Sequence, residues 1–212
     1  GFTDKPARDY QVSDYVEHLH DLLDTLGLES VHLSGESLGG WVAARFTALY
    51  PQRIKRLVLN TAGGMIADPK VMERLRTLSL NAVQNPEREA TRKRLEFLME
   101  DPTIVTEDLV ESRFAVYRLP DMPPAMASIM CLQDMDVRLK NLLTDDELGR
   151  IEAETLVLWT THDPTAPVSV GERLASLVKR SRMVVMENCG HWPQYEDPDT
   201  FNALHIDFLL NG

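Results

Sequence analysis

Near the start of the chain, Tyr15, Val16, Leu19, Leu22, Leu23 and Leu26 are apolar at steps of mostly three and four. Residues so spaced share one side of a helix, which predicts an amphipathic helix over Ser13–Leu26, with Asp14 and Glu17 placed as a capping box and Gly27 as its stop. The period then changes. Val31–Ser34 reads as a short strand, followed at once by a glycine-rich turn and a helical pattern from Leu38 that Pro51 ends. Arg56–Asn60, Thr155–Trp159 and Arg182–Glu187 are further apolar strands. A helix at about Ser169–Lys179 separates the last two, and another near Asp199–Leu210 closes the chain. Apolar strands alternating with helices predict an α/β fold on a mostly parallel sheet flanked by helices.

Between the second and third strands, Met65–Arg150 carries helical periodicity, many charges and no strand pattern. It reads as an inserted helical lid. The expected organisation is a core of residues 1–64 and 151–212 interrupted by a lid of residues 65–150. Met65, Met72, Met99, Met122, Met126, Met130 and Met135 read first as gap-fillers in a core, and otherwise as the lining of an adaptable apolar pocket. There is no internal repeat and no low-complexity tract.

Composition narrows the function classes. The 212 residues, 43% hydrophobic and 26% charged, are those of a globular protein rather than a disordered or fibrous one. No apolar run approaches the roughly 18 to 20 residues of a membrane-spanning helix, and Gly1–Tyr10 lacks the basic start and apolar stretch of a secretion signal. With 22 Lys and Arg against 33 Asp and Glu, the net charge of -11 repels phosphate backbones and anionic lipid surfaces. The expected partner is therefore a small molecule, not nucleic acid or membrane. A homo-oligomer is left open. Cys131 and Cys189 lie far apart without metal-ligand spacing, so no disulfide framework or zinc site is indicated and a reducing cytoplasm is expected.

The candidate chemistry begins at Gly35-Glu36-Ser37-Leu38-Gly39. Small residues between a buried strand and a helix permit a tight, strained turn that projects the serine hydroxyl. A helix N-terminus there puts the Leu38 backbone N–H where it can donate to a developing oxyanion. Serine is a poor nucleophile at neutral pH and needs a base, which in turn needs an orienting carboxylate. Asp163 follows the strand ending at Trp159, and His191 follows the last strand, so Ser37, Asp163 and His191 occur in the order one hydrolase architecture predicts. Taken singly, each is a common turn or surface residue. Asp134 and Asp136 are weaker acids for the role because they lie in the insertion. His18 and His20, two apart on a helix, point in different directions and suit no shared metal.

These residues make the chain resemble the α/β-hydrolase superfamily over essentially its whole length, and within it the meta-cleavage-product hydrolases, which cleave carbon-carbon bonds in aromatic degradation. The resemblance rests on Gly35–Gly40, Tyr50–Ile54, Leu57–Gly64 and Cys189–Glu196, with Val105–Arg113 similar to a lid segment of that family. It implies Ser37 as nucleophile, His191 as base, Asp163 as its orienting acid, Arg113 as a ligand for the substrate carboxylate and Trp192 as a pocket wall. It implies a 2-hydroxy-6-oxo-hexa-2,4-dienoate-type substrate, with no metal and no organic cofactor. Unassisted by it, Arg113 reads as a solvated helix residue paired with Glu111 or Asp108. Glu36 stands where many of these hydrolases carry Asn, which alters polarity beside the reacting carbonyl.

The opening run Gly1–Pro6 resembles the loop after the fourth strand of that fold. The first strands, roughly 70 to 90 residues at usual element lengths, are therefore expected to be missing, and with them the second oxyanion donor. Loss of one such donor costs about 2.7 to 4 kcal/mol. The chain is thus expected to be a piece of the natural protein, unstable or nearly inactive alone. The alternatives are a carboxylesterase with the same triad and a hydrolase-fold binding protein or inactive fragment. Haloalkane dehalogenase and epoxide hydrolase chemistry would want a carboxylate at position 37.

Overall fold

A computed structural model describes residues 3–211; Gly1 and Phe2, on which part of the opening-loop reading falls, and Gly212 lie outside the described residues. The strands are β1 (Val31–Glu36), β2 (Ile54–Asn60), β3 (Glu154–Thr160) and β4 (Ser181–Met186). The helices, in chain order, are α1 (Val12–Thr25), α2 (Leu38–Leu49), α3 (Pro69–Gln84), α4 (Arg88–Glu96), α5 (Glu107–Tyr117), α6 (Met122–Ile129), α7 (Met135–Asn141), α8 (Asp145–Gly149), α9 (Val168–Leu177), α10 (Pro193–Glu196) and α11 (Pro198–Ile206). The sheet runs β1-β2-β3-β4 with every pairing parallel. The result is an α/β architecture, a parallel sheet flanked by helices, as the alternation of elements predicts.

The chain divides into two compact units, one of Val12–Ile66 with Leu142–Gly212, the other of Ala67–Asn141 with the residues up to Gln11. In the first, alternation along the strands dictates the packing. Val58 and Leu156 face Phe208, while Leu158 and Met186 pack with Phe201 and Leu204 near α11. Trp159 points the other way, so close to Gly171 of α9 that a Cβ there would sit 2.7 Å from the indole. Leu57, Val58, Leu59, Leu156, Val157, Leu158 and Trp159 are fully buried, the double-sided burial that parallel strands require.

Helix ends follow local chemistry. At the end of α1, Gly27 takes φ 65°, and Leu28 N–H reaches Leu23 O while Gly27 N–H reaches Asp24 O, the paired bonds of a Schellman stop. The predicted Asp14–Glu17 capping box does not form. Helix α1 begins at Val12, which is completely buried, so Asp14 falls in the first turn instead of at the cap. A capping box does occur at Thr144 and Glu147, opening α8.

The second unit is helical from α3 to α7, with no strand among its described residues. Ala82, Val83, Tyr117, Met122, Met126 and Met130 form its core with Leu80, Val116, Leu119 and Ile129 around them, so these methionines fill a core. Asp68, Thr106 and Asp134 cap α3, α5 and α7 through backbone N–H groups. Capping accounts for Asp134, one of the two weaker acids.

Candidate active site

Strand β1 runs directly into the turn that carries Ser37, whose backbone sits at φ 54°, ψ -114°. A non-glycine residue there is strained by about 1 to 3 kcal/mol and persists only if its surroundings hold it. They do: Ser37 N–H donates to Asn60 O at 3.0 Å, and Ser37 O accepts from Gly63 N–H at 2.9 Å and Trp41 N–H at 3.1 Å. A Cβ on Gly35 would land on the Gly39 carbonyl, and one on Gly40 would lie 2.7 Å from the Ala62 side chain, so both glycines admit the close approach that tightens the turn. Leu38 opens α2. Its N–H belongs to the first turn, where helix geometry supplies no intrahelical acceptor and the dipole favours negative charge.

Asp163 follows β3. Its Oδ1 accepts from Thr165 N–H and Thr165 Oγ1, both at 2.7 Å, which leaves Oδ2 facing His191 Nδ1 at 2.9 Å. The Asp163 side chain is wholly buried and that of His191 is 5% exposed. A carboxylate so placed only accepts, so it fixes the ring with a proton on Nδ1 and turns Nε2 away from Asp163. Thr165 Oγ1 also stands 3.4 Å from Nδ1. The pair is thus desolvated and held by four hydrogen bonds, the one between Asp163 and His191 and three to Thr165.

The loop bearing His191 is held from beneath. Glu196 Oε1 accepts from Gly190 N–H at 2.8 Å and from Trp192 N–H at 3.4 Å, the residues flanking His191. His162 N–H donates to Cys189 O at 3.0 Å and Asn188 N–H to Thr161 Oγ1 at 2.9 Å, tying this loop to the one after β3. Burial, with Glu196 and Asp197 nearby, pushes the Cys189 thiol up to about 11, so it stays neutral and takes no nucleophilic part. Sequence reasoning gave no role to Thr165, Glu196 or Gln194. The Asp-x-Thr spacing of Asp163 and Thr165 was the available signal for the first.

Ser37, Leu38, Glu36, Asp163, His191 and Trp192 all belong to the sheet-bearing unit, with Trp192 at the N-cap of α10. Arg113 lies on α5 in the helical unit, half-buried; Glu111, two residues before it, bonds Arg88 through two hydrogen bonds. His18 is exposed and His20 packs against Tyr50, and among the described residues no group of three His, Cys, Asp or Glu could hold a metal ion. No helix among the described residues is long and apolar enough to cross a membrane.

A strained serine turn between strand and helix, with an Asp–His pair after later strands of one parallel sheet, defines a class, and comparison bears it out. The model of the alpha/beta hydrolase fold family matches residues 1–198, and the chain belongs to that family. Among curated relatives it is 34% identical over 197 residues to a 2-hydroxy-6-oxo-6-phenylhexa-2,4-dienoate hydrolase of Comamonas testosteroni, covering 89% of this chain and 65% of the relative. It is 32% identical over 194 residues to the enzyme of that name from Burkholderia cepacia, covering 90% of this chain and 66% of the relative. A solved meta-cleavage product hydrolase from Pseudomonas fluorescens IP01 superposes at a TM-score of 0.84 with 30% identity, covering 98% of this chain and 75% of that one. The chain thus spans about two thirds of the length of its curated relatives.

Proposed function

We propose that the protein is a serine hydrolase of the sheet-and-lid kind that cleaves a carbon-carbon bond in 2-hydroxy-6-oxo-hexa-2,4-dienoate-type ring-cleavage products. One observation carries the proposal: a buried Asp163 holds the His191 ring in the tautomer a serine base needs, in the same unit as the strained Ser37 turn. After ketonisation of the dienol, Ser37 Oγ attacks the C6 carbonyl as His191 Nε2 takes the hydroxyl proton. The Leu38 N–H stabilises the oxyanion. Collapse breaks the C5–C6 bond, with the proton returning to the departing carbon fragment. This releases a 2-hydroxypenta-2,4-dienoate and leaves an acyl-enzyme, which water, deprotonated by His191, hydrolyses to a carboxylic acid. The names of the relatives support the substrate class. The family resemblance gives Arg113 the substrate carboxylate, which its planar fork suits, and Trp192 the pocket wall. Cytoplasmic residence and a lid spanning residues 65–150 belong to the same reading.

Ester hydrolysis by the same residues is the second reading, and Glu36 favours it, because a carboxylate beside the nucleophile disfavours a dianionic substrate. The test uses the full-length protein. A fluorophosphonate probe should label it at Ser37 and leave Ser37→Ala unlabelled, and the dienoate's visible absorbance should decay on mixing. Arg113→Ala should lower kcat/KM on the dienoate by about ten- to a hundredfold, as expected for a lost charge-assisted pair, with little effect on a neutral ester. An unlabelled parent protein would overturn the serine mechanism. Efficient ester cleavage with the dienoate untouched would decide for the second reading.

A further inference from the structure

His191 faces carboxylates on two sides. Glu36 ends β1 one residue before Ser37, and its Oε1 lies 3.5 Å from His191 Nε2, opposite the nitrogen held by Asp163. Its other oxygen, Oε2, is 3.5 Å from Gln194 Nε2 on α10. The Glu36 side chain is 28% exposed. The His191 side chain is buried at 5% exposed, so charges at this separation act on one another more strongly than in water.

Nε2 presents one of two faces to that carboxylate. As a free base it shows a lone pair, which the Glu36 oxygens repel. As part of an imidazolium it shows an N–H, which they attract. Asp163 binds the Nδ1 proton in either state, so Glu36 is a charged group whose interaction changes sign when Nε2 gains a proton. Glu196 and Asp197 carry the same sign of charge, and the Cys189 thiol is neutral. Thr165 Oγ1 is uncharged, and His162 is turned to Thr161 Oγ1 at 2.9 Å.

We infer that Glu36 is a positioning residue for the base, a second carboxylate that holds the His191 imidazolium formed when Ser37 loses its proton and that sets the acid limb of the pH profile. The inference rests on the Ser37–His191 hydrolase reading above. Glu36 itself neither takes nor gives a proton: the hydrogen leaves Ser37 Oγ as the Oγ–carbonyl bond forms, rests on Nε2, and passes to the leaving group.

The experiment follows the His191 ring directly by NMR in the full-length protein, its signals identified by their loss in His191→Gln, alongside kcat/KM against pH for a neutral p-nitrophenyl ester. Glu36→Gln should lower the His191 pKa by about one unit, move the acid limb by the same amount and reduce the plateau by up to about tenfold. Glu36→Asp, which keeps the charge but withdraws it, should fall between the two and serves if the Gln variant does not fold. A folded Glu36→Gln protein whose His191 titrates where the parent's does would overturn the inference. An NMR shift in a protein that turns over neither ester nor dienoate would support the pairing while sinking the hydrolase reading.

Discussion

A methyl group added at Gly35 would fall on the backbone carbonyl of Gly39, whereas one added at Gly39 would meet nothing within 4 Å. The two glycines of the serine turn therefore differ in what they tolerate. Backbone cannot step aside as a flexible side chain can, so Gly35→Ala should destabilise the protein by about 2 kcal/mol or more. Gly39 lies in the first turn of α2, where Gly→Ala should be neutral or stabilise by up to about 1 kcal/mol. Urea midpoints of the two full-length variants measure the difference, and equal losses would contradict the steric account. The motif alone marks both glycines alike, because a sequence pattern records that small residues are present and not which of them touches backbone.

At the scale of elements, α8 shows how a five-residue helix is kept. Thr144 Oγ1 accepts from Glu147 N–H at 3.1 Å, Glu147 Oε2 accepts from Thr144 N–H at 2.8 Å, and Arg45 on α2 donates to Glu147 Oε1 at 3.0 Å. Burial pushes the Glu147 carboxyl up, but the Thr144 bonds and Arg45 outweigh it and hold the group below its ordinary 4.5. A depressed carboxylate adds stability above its unfolded pKa and loses it as pH falls through the lower folded value. Glu147→Gln should accordingly cost about 1 kcal/mol at pH 7, with the gap to the parent closing below pH 4.5, as urea titrations across that range would show. A gap independent of pH would mean that packing, not charge, is what Glu147 supplies.

The elements themselves were largely legible, because period and punctuation act locally. Each predicted strand overlaps an observed one, and Pro51 and Gly27 end α2 and α1 as their backbone chemistry requires. What escaped was set by distant partners. Strand β1 extends through Gly35 and Glu36 because its parallel register carries on to Asn60, a pairing no local pattern encodes. The roles of Thr165 and Glu196 escaped for the same reason, since each is defined by the loop it holds. The Asp163–His191 contact joins residues 28 apart in sequence and could be expected only from their order after successive strands.

His205 ties remote parts of the sheet-bearing unit together. Its Nδ1 donates to Phe201 O at 2.9 Å, so Nε2 accepts from Ser34 Oγ on β1 at 3.2 Å, and that oxygen accepts in turn from Asn60 Nδ2 on β2 at 3.0 Å. Burial lowers the His205 pKa from 6.5, the Phe201 carbonyl only partly opposing it. Between that lowered value and 6.5 the folded protein binds fewer protons than the unfolded chain, so stability increases with pH through this window. The contribution is complete above about 6.5 and is lost as pH falls through the folded value. Protonation also places a second N–H where the Ser34 hydroxyl now donates, which obliges that hydroxyl to turn away. His205→Gln keeps a polar side chain without a titrating ring. It should flatten the dependence of urea stability on pH just below 6.5, while the acid limb inferred above for His191 stays where it was. If the variant keeps the parent's slope, another group carries it, and the link from α11 to β1 and β2 is structural without being pH-sensitive.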